Sequence, residues 1–200
     1  MEFNRNILVT GFGTVGQALL PLLLKHLRVP CSHITVIDFA DREDVLRPMI
    51  VKGLRFVRER ITPLSLSRLL AAHVSRGDLI IDLAWSIDFF DIVEWAHNND
   101  VLYVNASIES WDDTAADMHK SALEKSLYAR YERLLPLVDR WKASSTAVVD
   151  HGANPGLVSH FVKRGLLDIA TKTIQENRTS RTRKRNLERL CADESFAELA

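Results

Sequence analysis

Between the short apolar run Asn6 to Thr10 and an apolar helical pattern, the stretch "GFGTVGQALL" sets Gly11, Gly13 and Gly16 in the spacing GxGxxG. At such a junction the first glycine allows a tight turn and the second lets backbone approach a pyrophosphate. The third lets helix and strand pack closely. The helix opening with Thr14 and Val15 aims unpaired N–H groups and the positive end of its dipole at the phosphates. The next apolar run, "ITVIDFAD", ends in Asp38, about 20 residues beyond Gly16, where a carboxylate grips the adenosine ribose hydroxyls. An acid there repels a 2′-phosphate, so NAD is the expected cofactor, although Arg42 nearby leaves a small opening for NADP. The competing job for Asp38 is a helix N-cap, for which Asp41, just before "REDVLR", is better placed.

Three further stretches are chemically loaded. In "LIIDLAWSID", Asp82 is too costly to bury as an unpaired charge, so it either pairs locally or faces a cationic ligand; Trp85 follows it. In "VLYVNASIESW", an extended backbone projects Asn105, Ser107, Glu109 and Trp111 to one side. A carboxylate beside an indole suits an alkylammonium, by ion pairing and cation–π attraction. The alternative is a polar loop whose tryptophan packs on a neighbouring helix. Between these strand ends no Arg or Lys stands ready to clamp a carboxylate, which favours a cationic substrate over an amino acid.

The third stretch, "DHGANPGLVSH", is first a turn. Asn154 is the expected N-cap and Pro155 the first helical residue, with Leu157, Val158, Phe161 and Val162 as the buried face. His151 and His160 do not have metal-ligand spacing and no Cys, Asp or Glu cluster completes a site, so no metal is expected. At a strand end beside a nicotinamide, His151 can move a proton or orient the carboxamide; as a turn residue it would bond to backbone instead.

The elements that must position these residues alternate from the N-terminus to about residue 176. Strands are expected at Asn6 to Thr10, Ile34 to Phe39, Leu54 to Ile61, Asp78 to Trp85, Val101 to Ser107 and Thr146 to Asp150. Helical patterns lie between them at about 14 to 28, 65 to 76, 88 to 98 and 120 to 142, and a last one opens near Pro155. That alternation predicts an α/β fold, a Rossmann-type doubly wound parallel sheet over residues 1–176, with residues 177–200 as a connector or the start of a truncated second domain. The basic run "RTSRTRKRNLER" reads as a solvated connector or helix face.

With 26 basic and 26 acidic residues the formal net charge is zero, so no global field argues for nucleic acid or an anionic membrane. The stretch Leu19 to Leu24 is far shorter than the roughly 18 apolar residues a membrane helix needs. Cys31 and Cys191 lie far apart without metal-type spacing and read as thiols of a reducing compartment, so cytoplasm is expected.

Taken together, "GFGTVGQALLPLLLKH", "DLIIDLAWSID", "VLYVNASIESW" and "TAVVDHGANPGLVSHF" resemble the bacterial homospermidine synthases, within the wider saccharopine dehydrogenase-like group. The likeness runs from about residue 6 to 170. It implies an NAD-dependent enzyme that joins two putrescine molecules into sym-homospermidine and ammonia through imine intermediates, recycling its cofactor. It also implies a longer, homodimeric full-length form whose second domain completes the diamine pocket, so that this chain is an N-terminal portion. The catalytic candidates are then Glu109, Asn154 and His151, and the substrate-binding candidates Asp82, Trp85 and Trp111. Asn105, Ser107 and Pro155 join the glycine loop and Asp38 at the cofactor. The alternatives are a dehydrogenase acting on saccharopine or a carboxylated polyamine, and a stand-alone NAD-binding module.

Overall fold

The computed structural model describes residues 2–111, 121–124, 126–142, 145–153, 156–176 and 179–193. The chain divides into two compact units, Met1–Asp150 and His151–Ala200. The first unit holds strands β1 (Ile7–Thr10), β2 (Ile34–Asp38), β3 (Arg55–Arg58), β4 (Leu79–Asp82), β5 (Leu102–Asn105) and β6 (Ala147–Val148). Among them run helices α1 (Thr14–His26), α2 (Glu43–Ile50), α3 (Leu66–His73), α4 (Phe89–Asn98) and α5 (Leu127–Arg140). The second unit holds α6 (Leu157–Gln175) and α7 (Arg181–Asp193).

All six strands are parallel, in the order β3-β2-β1-β4-β5-β6. The order reverses between β1 and β4, and the crevice beyond the carboxyl ends of the strands at that point is where such sheets take ligands. β1, β2 and β4 are nearly continuous apolar runs because both faces of the sheet are covered. Alternate residues serve opposite cores: Leu8, Ile37 and Ile80 join Leu69, Leu70, Ile92 and Tyr103 on one face. On the other, Ile7, Val9, Ile34, Val36 and Ile81 pack with Leu20 of α1 and Leu46 of α2. Each such side chain, fully buried, contributes about 1.5–3 kcal/mol.

Local capping sets the elements nearest the crevice. Asp88 starts α4, its carboxylate accepting from the Phe90 amide at 2.9 Å and the Asp91 amide at 3.3 Å, which stabilises a helix by about 1 kcal/mol. At the opposite end of β4, buried Asp78 accepts from the Asn6 and Ser75 amides at 2.9 and 2.8 Å, tying β1 and β4 at their starts. After β2, Asp41 accepts from the Glu43 amide at 3.1 Å as α2 begins.

Several features depart from expectation, among them helix α2, which the expected helical patterns did not include. β3 and β6 are shorter than their apolar runs, because each is an edge strand with one neighbour; β6 pairs only through Ala147 and Val148, opposite Tyr103 and Val104. The second unit begins at His151, and within it α6 finds its partner in α7, with Ala170 and Leu190 buried. The face expected to be buried on α6 stands open: Leu157, Val158, Phe161 and Val162 are all exposed, Phe161 at 66%. The basic run forms part of α7, whose arginines lie at its surface. Among the described residues no helix is long and apolar enough to cross a membrane.

Candidate functional site

A cleft of about 230 Å³ opens beyond the carboxyl ends of β1, β2 and β4, lined among others by Gly11, Gly13, Asp38, Phe39, Arg42 and Trp85. Gly11 has φ +79°, and a Cβ there would lie 2.7 Å from the Ala84 Cα, so conformation and the close approach of β4 both require glycine. A Cβ on Gly13 would meet nothing within 4 Å, which leaves this side of the loop open to a ligand. Gly16 is the packing glycine: a Cβ would stand 3.0 Å from the Gly11 oxygen and 3.1 Å from the Phe12 ring. α1 begins at Thr14, and Thr14 and Val15 are exposed, so its first amides lack intrahelical acceptors at the rim of this opening. The cradle therefore fits the pyrophosphate of a dinucleotide.

Asp38, 7% exposed, is held by two backbone amides. Its Oδ2 accepts from Phe12 N–H at 2.6 Å, and its Oδ1 from Ala40 N–H at 2.7 Å. The first of these bonds ties the glycine loop to the end of β2. Each carboxylate oxygen keeps acceptor capacity, and the side chain still lines the cleft, where a ribose diol can reach it. Beside it the Arg60 guanidinium lies over the Phe39 ring, 4.3 Å from the centroid. Sequence reasoning missed Phe39, Arg60 and Ser86 as cleft residues. Phe39 follows the strand-ending acid and so was findable; Arg60 arrives from β3 and Ser86, at φ +60°, from a turn with no glycine to mark it.

The next strand ends hold the other candidate residues. Asp82 is 6% exposed and pairs locally: it accepts from Thr10 Oγ1 at 2.6 Å, Tyr103 Oη at 2.9 Å and Ala84 N–H at 3.2 Å. Three donors inside the fold thus engage its carboxylate, the local-pairing alternative. Burial raises its pKa against the pull of those donors, and the Glu109 carboxylate is close enough to add to the rise. Tyr103 is pushed well above the usual phenol value, first by burial and then by Asp82.

Asn105 is likewise turned inward, donating to the Ser107 carbonyl at 2.7 Å and accepting from Asp150 N–H at 2.7 Å. It clasps the end of β5 to Asp150, two residues beyond β6. Because β5 stops at Asn105, the alternation expected to run on to Trp111 ends there. The Trp111 indole instead donates to Asp91 of α4 at 2.7 Å and packs on the core, as in the packing alternative. Ser107 and Glu109 do meet, with Ser107 Oγ donating to Glu109 Oε1 at 3.0 Å. The Glu109 carbonyl accepts from Phe89 N–H at 3.1 Å, which fixes the loop against the start of α4. Trp85, 74% exposed, lines the same cleft as the glycine loop.

Asn154 and Pro155 lie outside the described residues. α6 begins at Leu157 with Gly156 at its cap, φ +113°, where a Cβ would stand 2.6 Å from the Gly152 oxygen. His151 and His160, both of the second unit, meet edge to face at 5.4 Å. Among the described residues no group of three or more His, Cys, Asp or Glu is placed to hold a metal ion.

Residues 7–149 match the family model of the saccharopine dehydrogenase NADP binding domain. Homospermidine synthase of Blastochloris viridis is 32% identical over 167 residues, covering 82% of this chain and 35% of the relative. That of Mesorhizobium japonicum is 28% identical over 173 residues, covering 85% and 35%. The crystal structure of the Legionella pneumophila homospermidine synthase in complex with NAD matches with a TM-score of 0.74 at 31% identity, covering 86% of this chain and 35% of that one. Saccharopine dehydrogenase (L-Glu forming) of Saccharomyces cerevisiae, at TM-score 0.52 and 19% identity, shares the fold. The chain thus spans about a third of the length of the relatives it matches. With its glycine cradle at the switch point of a six-stranded parallel sheet, the chain belongs to the saccharopine dehydrogenase NADP binding domain family.

Proposed function

We propose that this chain is the cofactor-binding portion of an NAD-dependent homospermidine synthase. One observation carries the reading: over 86% of its length the chain has the fold of an NAD-complexed homospermidine synthase. In the whole reaction two putrescines become sym-homospermidine and ammonia, with no net oxidation. Bound in this cleft, NAD would supply reversible hydride acceptance, so the overall conversion would not consume it.

The chain's own residues hold and orient. The Gly11–Gly16 loop and the start of α1 take the pyrophosphate, and Asp38 the adenosine ribose. Glu109, positioned by Ser107 and by its backbone bond to Phe89, is the carboxylate for a diamine ammonium group. Trp85 offers an aromatic face to the same cation. Asn154 and His151 remain the proposed catalytic candidates alongside Glu109 in the full-length enzyme. We place the full-length enzyme in the cytosol as a homodimer, a setting compatible with the free thiols of Cys31 and Cys191.

Calorimetric titration of the chain with NAD tests the cofactor half, and binding is the expected result; no binding overturns it. For the substrate half, Glu109→Gln is introduced into the full-length protein. Retained NAD affinity with loss of homospermidine formation from putrescine is expected, whereas unchanged turnover removes Glu109 from the site.

A further inference from the structure

β6 pairs only through Ala147 and Val148, so the sheet's ladder no longer holds the chain when it reaches Asp150. Asp150 is nonetheless 4% exposed and stands at φ +56°. Among the described residues two other non-glycines have positive φ, Ser86 and Asp100, and both are only half-buried. A left-handed aspartate persists in a protein interior when its surroundings fix it, and such residues gather where a site must be held. Two elements fix this one. Asn105 Oδ1, at the end of β5, accepts from the Asp150 N–H at 2.7 Å, and Tyr131 of α5 donates its hydroxyl to Asp150 Oδ2 at 3.0 Å.

The Asn105 side chain also reaches a second way. Its Nδ2 donates to the Ser107 carbonyl at 2.7 Å, and Ser107 Oγ donates in turn to Glu109 Oε1 at 3.0 Å. A connected set of bonds thus joins Tyr131, Asp150, Asn105 and Ser107 to Glu109. Beyond Asp150 the chain runs directly into His151 and Asn154. Resting on the reading of Glu109 as the diamine carboxylate, we infer that Asp150, Asn105 and Tyr131 are positioning residues of that site. They hold the loop that carries Glu109 and the backbone from which the His151 segment departs, and touch no reactant themselves. The bridge needs an amide at Asn105, which accepts at one atom and donates at the other; a carboxylate can only accept. At position 150 it needs a side chain that tolerates the left-handed backbone and accepts from Tyr131, which aspartate and asparagine both do.

The test uses the full-length protein below the melting temperature of every variant, with kcat and KM for putrescine and calorimetric NAD affinity measured side by side. Asn105→Asp keeps the acceptor for the Asp150 amide and loses the donor to Ser107. It should lower kcat/KM for putrescine by about fivefold or more at unchanged NAD affinity. In a Ser107→Ala background it should add nothing further, because both act through the same bonds. Asp150→Gly keeps the backbone conformation but loses the acceptor for Tyr131, and should lower kcat/KM similarly; Asp150→Asn restores the acceptor and should recover it. Full kcat/KM in Asn105→Asp or Asp150→Gly overturns the inference, as does an Asn105→Asp loss that multiplies the Ser107→Ala loss. A parallel fall in NAD affinity also overturns it, by putting Asn105 at the cofactor. If Asp150→Gly shows no cooperative melting, Tyr131→Phe removes the same bond without touching the backbone, and full kcat/KM there is the overturning result. A natural full-length protein that forms no homospermidine sinks the diamine reading itself. The bridge is then read in the 200-residue chain from hydrogen exchange of the Phe89 amide, which donates to the Glu109 carbonyl. Faster exchange in Asn105→Asp with the β1 amides unchanged supports the bridge, and equal exchange overturns it.

Discussion

Asp38 and Asp82 end the two strands that flank β1, both are buried, and from the sequence both are available to a ligand. Their donors separate them. Asp38 is held by two backbone amides, one on each oxygen, and lines an open cleft. Asp82 is enclosed by two hydroxyls and an amide, on strands β1 and β5 and in its own turn. An aspartate at a strand end becomes a ligand group when backbone fixes it and leaves lone pairs facing solvent. It becomes a structural clasp when neighbouring side chains surround it. The difference lies in what the adjacent strands carry opposite it: Thr10 opposite Asp82 on one side, and Asn105 beside Tyr103 on the other.

Breaking the clasp should have the largest effect. Asp82→Ala leaves the Thr10 and Tyr103 hydroxyls and the Ala84 amide without their acceptor inside the sheet, at a cost of about 3 kcal/mol in urea unfolding. NAD affinity of the folded fraction should stay unchanged; a loss of affinity would return Asp82 to the binding site. Asp38→Ala should show the reverse balance. NAD binding weakens by about 2 kcal/mol, a factor of roughly 30, while the fold loses about 1 kcal/mol from the unmet Phe12 amide. Unchanged affinity in calorimetry would put the ribose contact elsewhere.

Removing one donor sharpens the contrast. Tyr103→Phe should cost about 1 kcal/mol and move the Asp82 pKa further up, because the Tyr103 hydroxyl holds it down. A carboxyl-sensitive NMR titration that showed a fall would refute the clasp. The smallest effect is one of pH. The folded-state pKa of Asp82 is raised by burial, so its favourable contribution is complete below the unfolded carboxylate value near pH 4 and is lost as pH rises through the folded value. Asp82→Asn removes that loss. Its stability relative to the natural chain should therefore improve as pH is raised across that window, while parallel curves would mean that Asp82 ionises normally. Asp88, also raised by burial, is present in both proteins and cancels.

Much of the fold was legible because its signals are local. Each expected strand exists, and the central β1, β2 and β4 were the plainest to read, since a strand buried on both faces must be a short unbroken apolar run. The three glycines were assigned three jobs, and each has its own steric reason. The edge strands were read too long because an apolar run does not say where its neighbour ends. Trp111 leaves the expected common face for a related reason: alternation projects side chains only while the chain stays extended, and β5 stops at Asn105. Arg60 was invisible as a cleft residue because only the pairing of β3 with β2 brings it beside Phe39.

By itself the sequence determined the alternation of elements, the glycine cradle and the acid that ends β2, because periodicity and glycine's freedom from a Cβ act over a few residues. Tertiary structure alone decided which acid faces the cleft. Burial and hydrogen-bond donors are supplied by strands distant in sequence, as Tyr103 and Thr10 supply them to Asp82, and a carboxylate's role follows from those partners.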